Sequence, residues 1–374
     1  MTNKTRITTI VGTRPEIIRL SEVIKKLDTF FEHRLIHTGQ NPDPNLKDIF
    51  FSDLGVRQPD FYFGGDHNSL GGFLSTLFIE MEKEFTNFRP DAVVILGDTN
   101  SALSAILAKR FGIPVYHLEA GNRSFDLNVP EEINRRIVDH TSDFNMVYTE
   151  HARHNLLSEG VHPRKISLIG SPLCEVLAVH RDAIESSRIL ESLSLKSREF
   201  FLVSVHRQEN VDFPDRLDSL LSGLEAVATE YGLPILVSTH PRTRKKLKEL
   251  RENFHELINF HEPFGFIDYN KLQISARMVL SDSGTISEES AMLGFPAVTL
   301  RDSMERPEAL EAGTIVMSGI ESEAILDSIR QVEAQGLGLI KPEAYRIPDT
   351  STRVVNYILS TVHQYQFWNG LHKR

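Results

Sequence analysis

Carboxylates, arginines and histidines recur in this chain where short β-branched runs end. Val11-Gly12-Thr13-Arg14-Pro15-Glu16 closes one such run and opens a helical pattern. Glycine permits the tight turn, the helix start offers free N–H groups and a positive dipole end, and Arg14 and Arg19 add full charges. Together they suit a phosphate or a departing diphosphate; the structural alternative is a plain strand–helix turn with a surface arginine. Leu96-Gly97-Asp98-Thr99-Asn100 ends another run in an aspartate, which can work at a strand end and cap the next helix at once. Glu119 follows Val115–Leu118 in the same way, and a carboxylate buried there is costly unless paired or protonated. Behind it Glu131, Glu132 and Arg135 open a helix, with Glu131 and Arg135 spaced to pair on one face. The alternative for this group is a solvated helix start with acids near the positive dipole end.

The second half repeats the pattern. Ser204-Val205-His206-Arg207-Gln208-Glu209-Asn210 ends a strand in a histidine, whose unperturbed pKa of about 6.5 lets it exchange a proton or bind a phosphate. Ser238-Thr239-His240-Pro241-Arg242 ends the next strand similarly. Ser281-Asp282-Ser283-Gly284-Thr285-Ile286-Ser287-Glu288-Glu289 passes from a strand through small hydroxyl residues and glycine into a helix. Backbone N–H groups there can cradle a diphosphate, and Glu289 can take the two hydroxyls of a ribose. The alternative is a helix capped by Ser283 or Thr285. Glu305-Arg306-Pro307-Glu308 follows the next strand with one more arginine. The three-glycine dinucleotide fingerprint, a Gly-Lys-Ser/Thr phosphate loop, a zinc-spaced ligand cluster and a Gly-x-Ser-x-Gly elbow are all missing from the sequence.

The elements that must position these residues alternate as βα. Strands are expected at Ile7–Val11, Arg34–His37, Ala92–Leu96, Val115–Leu118, Asn145–Tyr148 and Ile166–Ile169. A helix over Pro15–Leu27 buries Ile17, Leu20, Val23, Ile24 and Leu27. The pattern restarts with strands at Phe200–Val205, Ile235–Ser238, Leu257–Phe260, Met278–Ser281, Ala297–Leu300 and Thr314–Met317, and a helix over Asp215–Tyr231. Such alternation implies parallel sheets covered on both faces. The expectation is an α/β protein of two doubly wound Rossmann-like domains whose strand-end loops face a cleft. Residues 1–170 with 352–374 form the first, and 171–351 the second. The last helix, roughly Thr352–Trp368, follows both.

A length of 374 residues suits two domains. Net charge −10, from 51 acidic against 41 basic residues, argues against general nucleic-acid binding, so an anionic ligand needs a local basic pocket. The single cysteine, Cys174, excludes an internal disulfide and reads as a small buried hydrophobe. No signal-peptide core and no membrane-length apolar run occurs, so the expected location is the cytoplasm.

In order along nearly the whole chain, GTRPEIIR, GDTNS, HLEAGNRSFD…PEEINRR, HRQEN, HPRTR, SDSGTISEE and RDSMERPEA resemble the non-hydrolysing UDP-N-acetylglucosamine 2-epimerase family. The resemblance implies a glycosyltransferase-B type of fold, with the last helix crossing back to the first domain. It implies inversion of C2 in a UDP-linked 2-acetamido sugar by loss of the C2 proton and of UDP, then re-addition to a 2-acetamidoglycal. It gives the proton-transfer roles to Asp98, Glu119 and Glu131, and places His206 near the leaving diphosphate. It matches Arg14, His240, Ser283, Gly284, Thr285 and Glu289 to UDP-contacting positions. Arg19, Arg123, Arg135, Arg242 and Arg306 complete the expected substrate-binding set. No metal or redox cofactor is implied; a homodimer is.

Departures from the common pattern, including Asn122-Arg123-Ser124-Phe125-Asp126, Arg19 in place of lysine and Asn41 after His37-Thr38-Gly39-Gln40, look closer to the branch that makes UDP-N-acetyl-L-fucosamine. The substrate would then be UDP-2-acetamido-2,6-dideoxy-L-talose, with Phe125 as an apolar contact for the 6-deoxy carbon. Near alternatives are the L-rhamno to L-quinovo conversion and the interconversion of UDP-N-acetylglucosamine and UDP-N-acetylmannosamine. From other classes stand a glycosyltransferase of the same architecture, a hydrolysing relative, and a non-catalytic sugar-nucleotide sensor. The acid-rich GDTNS and PEEINRR stretches argue against a transferase, and the presence of Asp98, Glu119, Glu131 and His206 argues against a sensor. The implied setting is precursor synthesis for a capsule, lipopolysaccharide O-antigen or other cell-surface polysaccharide.

Overall fold

A computed structural model of the chain describes residues 4–40, 50–64, 69–205, 207–239, 246–247, 253–336 and 342–370. The chain forms two compact units, Met1–Val179 with Ile347–Arg374, and His180–Arg346.

The first unit is built on a parallel sheet of seven strands: β1 (Arg6–Val11), β2 (Glu32–His37), β3 (Phe61–Tyr62), β4 (Ala92–Leu96), β5 (Val115–Leu118), β6 (Phe144–Val147) and β7 (Ile166–Leu168), in the order β3-β2-β1-β4-β5-β6-β7. The order reverses between β1 and β4, whose pairing runs Ile7↔Ala92 to Thr9↔Val94. That is the switch point at which open α/β sheets hold ligands beyond the strand ends. β4, AVVIL, is buried at every position, as a strand covered on both faces must be. Helix α1 (Arg14–Phe30) starts where the sequence says it should. Thr13 is its extended N-cap, Pro15 lies in the first turn, and Thr13 and Glu16 form a capping box. Its buried face includes Ile17, Leu20, Val23, Ile24 and Leu27. Helices α2 (Leu70–Asn87), α3 (Ser104–Arg110), α4 (Pro130–Thr141) and α5 (Glu150–Ser158) follow.

The first unit runs to Val179, past the expected boundary at 170, because α6 (Pro172–Val179) packs on α1. The chain re-enters it at Ile347, ahead of 352. The single C-terminal helix expected over 352–368 is two, with a longer one over Thr350–Thr361 and a short one over Tyr365–Trp368. The longer one packs on α1 and α6. Its Thr361 hydroxyl bonds the Tyr116 hydroxyl at 2.7 Å, and the N–H of Ser351 donates to Glu175 at 2.8 Å. Val354, Val355 and Ile358 are buried beneath it.

The second unit carries β8 (Phe201–Ser204), β9 (Ile235–Ser238), β10 (Ile258–His261), β11 (Met278–Ser281), β12 (Ala297–Thr299) and β13 (Val316–Met317), ordered β10-β9-β8-β11-β12-β13. Its pairings are also parallel, and its switch point lies between β8 and β11. Side-chain alternation splits its core in two. Phe201 and Val203 join Leu217, Leu220, Leu224 and Val227 of the helix Pro214–Tyr231 on one face. Phe200 and Leu202 join Leu272, Ile286 and Phe295 on the other. Cys174 is a buried free thiol. Among the described residues no helix is long and apolar enough to cross a membrane.

Candidate active site

In the first unit, β1, β4 and β5 are neighbours, so Arg14, Asp98 and Glu119 all emerge at carboxyl ends around the switch point. Asp98 is half-buried and ion-paired with Arg135 of α4. The amide of Asn134 donates to the Asp98 carbonyl at 3.0 Å and to Asn100 Oδ1 at 2.9 Å. Nε2 of His117 donates to the Gly97 carbonyl at 2.8 Å. The loop carrying Asp98 is thus fastened at Gly97, Asp98 and Asn100 by α4 and β5.

Glu119 is buried, 3.6 Å from Nε of Arg19 and 3.5 Å from the Asn122 amide. Its backbone is left-handed, φ 64°. That conformation costs a non-glycine residue about 1–2 kcal/mol, and such strain collects where geometry serves a site. Arg19 also lies over the Tyr148 ring, 5.6 Å from its centroid. Gly12 has its own reason to be glycine: a methyl group there would run into the hydroxyls of Ser101 and Thr38.

Three parts of the expected set have partners within the unit itself. Arg123 is one of them. It is buried, donates to Asp139 at 2.7 Å and to the Asn122 carbonyl at 2.7 Å, and forms a two-point pair with Glu159 at 2.8 and 2.6 Å. Its work is to hold the loop after Glu119 on the body of the unit. Arg135 is directed at Asp98 and, at 2.7 Å, at Glu132. The buried acid of the PEE stretch is Glu132, whereas Glu131 is exposed. Burial pushes the Glu132 carboxyl up, but the Ser124 N–H, Arg135 and Arg136 outweigh that and hold it below its ordinary value. Phe125, 71 % exposed, also has a left-handed backbone, φ 57°.

Sequence reasoning passed over Glu16. Its carboxylate is buried and accepts from Gly12 N at 2.8 Å, Thr13 N at 2.7 Å, Thr13 Oγ at 2.9 Å and Thr99 Oγ at 2.9 Å. The Thr13-x-x-Glu16 spacing, a capping-box signature, was the signal available. Burial raises its pKa from 4.5 to about 7 against those four donors. The folded state therefore holds a proton that the unfolded chain releases, so stability falls as pH rises from about 4.5 to about 7 and is level above that. Glu16→Gln, which has no proton to lose, is expected to gain on the wild type in urea denaturation at pH 8 relative to pH 5. A gap independent of pH would sink this expectation.

In the second unit the SDSGTISEE stretch follows β11 at the switch point. Asp282 is buried and accepts from the Arg207 N–H at 3.0 Å and the Asn210 amide at 3.1 Å, which ties β11's loop to β8's. Ser283, Gly284 and Thr285 are half-exposed. Thr285 sits at the N-cap of the helix Ile286–Leu293, but its hydroxyl donates to Glu289 at 2.6 Å and lies 2.9 Å from that of Ser283. Gln273 donates to the other Glu289 oxygen at 2.5 Å.

Arg306 lies beneath this loop. It is buried, 3.2 Å from Glu288, and bonds the Gly284 carbonyl at 2.5 Å, so it supports the loop from below. A Cβ on Gly284 would come within 2.9–3.0 Å of the ends of the Glu305, Arg207 and Arg306 side chains, so the loop backbone lies close against these three charged groups. His206, His240 and Arg242 lie outside the described residues. Among the described residues, no group of three or more histidine, cysteine or acidic side chains is placed to hold a metal.

Two Rossmann-like units with polar loops at both switch points define a protein of the glycosyltransferase-B fold class. Within that class the family model described as UDP-N-acetylglucosamine 2-epimerase matches residues 25–359, and the chain belongs to that family of isomerases. The structure of UDP-N-acetylglucosamine 2-epimerase from Rickettsia bellii is similar at 40 % identity and TM-score 0.90, covering 97 % of this chain and 98 % of that one. The Methanocaldococcus jannaschii UDP-GlcNAc 2-epimerase, in complex with UDP-GlcNAc and UDP, is similar at 33 % identity and TM-score 0.88, covering 95 % and 100 %. UDP-2,3-diacetamido-2,3-dideoxy-D-glucuronate 2-epimerase of Pseudomonas aeruginosa is 33 % identical over 334 residues, 87 % of this chain and 91 % of that protein.

Proposed function

We propose that the protein is a UDP-sugar 2-epimerase that converts UDP-2-acetamido-2,6-dideoxy-L-talose to UDP-N-acetyl-L-fucosamine. The observation that carries the reaction class is the convergence of Asp98 and Glu119, each beside an arginine, at neighbouring strand ends in a chain of this family. A carboxylate takes the C2 proton. The released electron pair forms the C1=C2 double bond as the C1–O bond breaks and UDP departs. On return, a UDP oxygen adds to C1 and a proton is delivered to the opposite face of C2. Asp98, Glu119 and Glu131 share the proton steps, and His206 serves the diphosphate. Arg14, Arg19, Ser283, Gly284, Thr285, His240, Arg242 and Glu289 bind the nucleotide sugar, with Glu289 on the ribose. A C2–H is barely acidic, so its loss has to be coupled to leaving-group departure with charge held throughout.

The 6-deoxy substrate is supported by the Asn122–Asp126 stretch and by Phe125, whose exposed ring offers an apolar contact where a hydroxylated sugar would need a polar one. The relatives' names favour a second reading, UDP-N-acetylglucosamine as substrate. A cytoplasmic homodimer supplying a cell-surface polysaccharide completes the proposal. In deuterated water with the L-talose substrate, proton NMR should show deuterium entering C2 together with a new L-fuco anomeric signal. Exchange with UDP-N-acetylglucosamine alone would keep the mechanism and discard the 6-deoxy-L-sugar.

A further inference from the structure

We propose that Glu16 is a positioning residue for this reaction. Through Thr99 it locks the β4 loop that carries Asp98 to the β1 loop that carries Arg14. The inference rests on the reading of Asp98 and Arg14 given above.

A capping box asks one carboxylate oxygen to meet the backbone just before the helix. Oε2 of Glu16 does this, taking Gly12 N, Thr13 N and Thr13 Oγ. Oε1 has no part in the cap. It reaches a hydroxyl 83 residues away in sequence, on the loop of the adjacent strand. Helix caps are commonly solvated, but this one is almost wholly buried, at 1 % exposure. Burying a carboxyl is unfavourable in itself, so the cap alone does not account for the placement. The Asp98 loop is held by α4 through Arg135 and Asn134, and Ser101 ties it to the end of β2 through Thr38 at 2.7 Å and Gln40 at 2.9 Å. Glu16–Thr99 supplies the remaining tie, to the β1 loop. It sets the carboxylate at the end of β4 in register with the guanidinium at the start of α1.

Thr99→Val separates the two roles of Glu16, because it removes the bridging hydroxyl, keeps the shape and leaves the cap intact. A misplacement on the order of 1 Å at a reacting group costs roughly 100-fold in rate. Thr99→Val is therefore expected to lose about that much in kcat for C2 deuterium exchange, with KM and melting temperature close to wild type. Glu16→Gln keeps a carbonyl oxygen for the cap and turns an N–H toward Thr99 Oγ, which can accept it, so it should retain most of the wild-type kcat. Asp98→Asn inactive with Thr99→Val at full rate would overturn the positioning role alone. Asp98→Asn at full rate would overturn the reading of the site, and this proposal with it.

Discussion

Glu119→Gln should lower kcat for C2 epimerisation by about 10²- to 10⁴-fold, the range that a positioned general acid or base contributes. The substitution changes one oxygen to an amide nitrogen and leaves the left-handed backbone at 119 as it was. Affinity for UDP should hold, because the polar loops read as holding the diphosphate come from other strand ends. The one confounding effect is structural. Arg19 is buried beside Glu119 and would lose an anionic neighbour, though it keeps the Tyr148 ring. The measurement is thus kcat, KM and thermal midpoint on the same preparation. A fall in kcat at an unchanged midpoint supports the proton-transfer role. Full activity with a lowered midpoint would leave Glu119 as Arg19's counter-ion only.

Arg123→Met should destabilise the protein by about 3–5 kcal/mol, the loss expected when one partner of a buried ion pair is removed and its charges stay behind. Asp139 has no exposed side-chain surface, and Glu159 is largely covered. Asp139 would keep the Gly121 N–H at 3.1 Å, which offsets only part of the loss. The pairing with Arg123 is the main reason the Glu159 carboxyl lies below its ordinary 4.5. Its stabilising contribution is therefore present above that value and is lost as pH falls through the lowered one. The gap between wild type and variant should accordingly narrow in acid, measured by urea denaturation from pH 7 down to pH 3. A near-neutral Arg123→Met with weakened UDP-sugar binding would restore Arg123 to the ligand.

The contrast between these two residues marks how far the sequence could be read. Strand positions were legible because short β-branched runs between turn residues have few other uses, and Ala92–Leu96 and Met278–Ser281 lie where expected. The positions of the strand-end loops were legible with them, since parallel strands deliver their following residues to one edge. Burial of individual charges was not. Arg14, Arg19, Arg123 and Arg135 look alike in sequence, yet Arg14 is half-buried while Arg123 is enclosed by two carboxylates contributed from elsewhere in the chain. Glu131 and Glu132 differ by one helical step of about 100°, which decides between solvent and core. The two-residue strand Phe61–Tyr62 is too short to carry a period, and nothing in its sequence marks the end of the longer C-terminal helix at Thr361.

The return of the chain at Ile347 also has a consequence for synthesis on the ribosome. The helix Thr350–Thr361, which covers Tyr116 and Phe144 and bonds Lys26 through Thr352 at 2.5 Å, is translated after the whole of His180–Arg346. At roughly 5–20 residues per second, the nascent first unit waits on the order of ten seconds without its last cover. During that interval its apolar underside is open to chaperones and to other nascent chains. The second unit is continuous in sequence and can close as it emerges, so the half of the molecule made first is the half completed last.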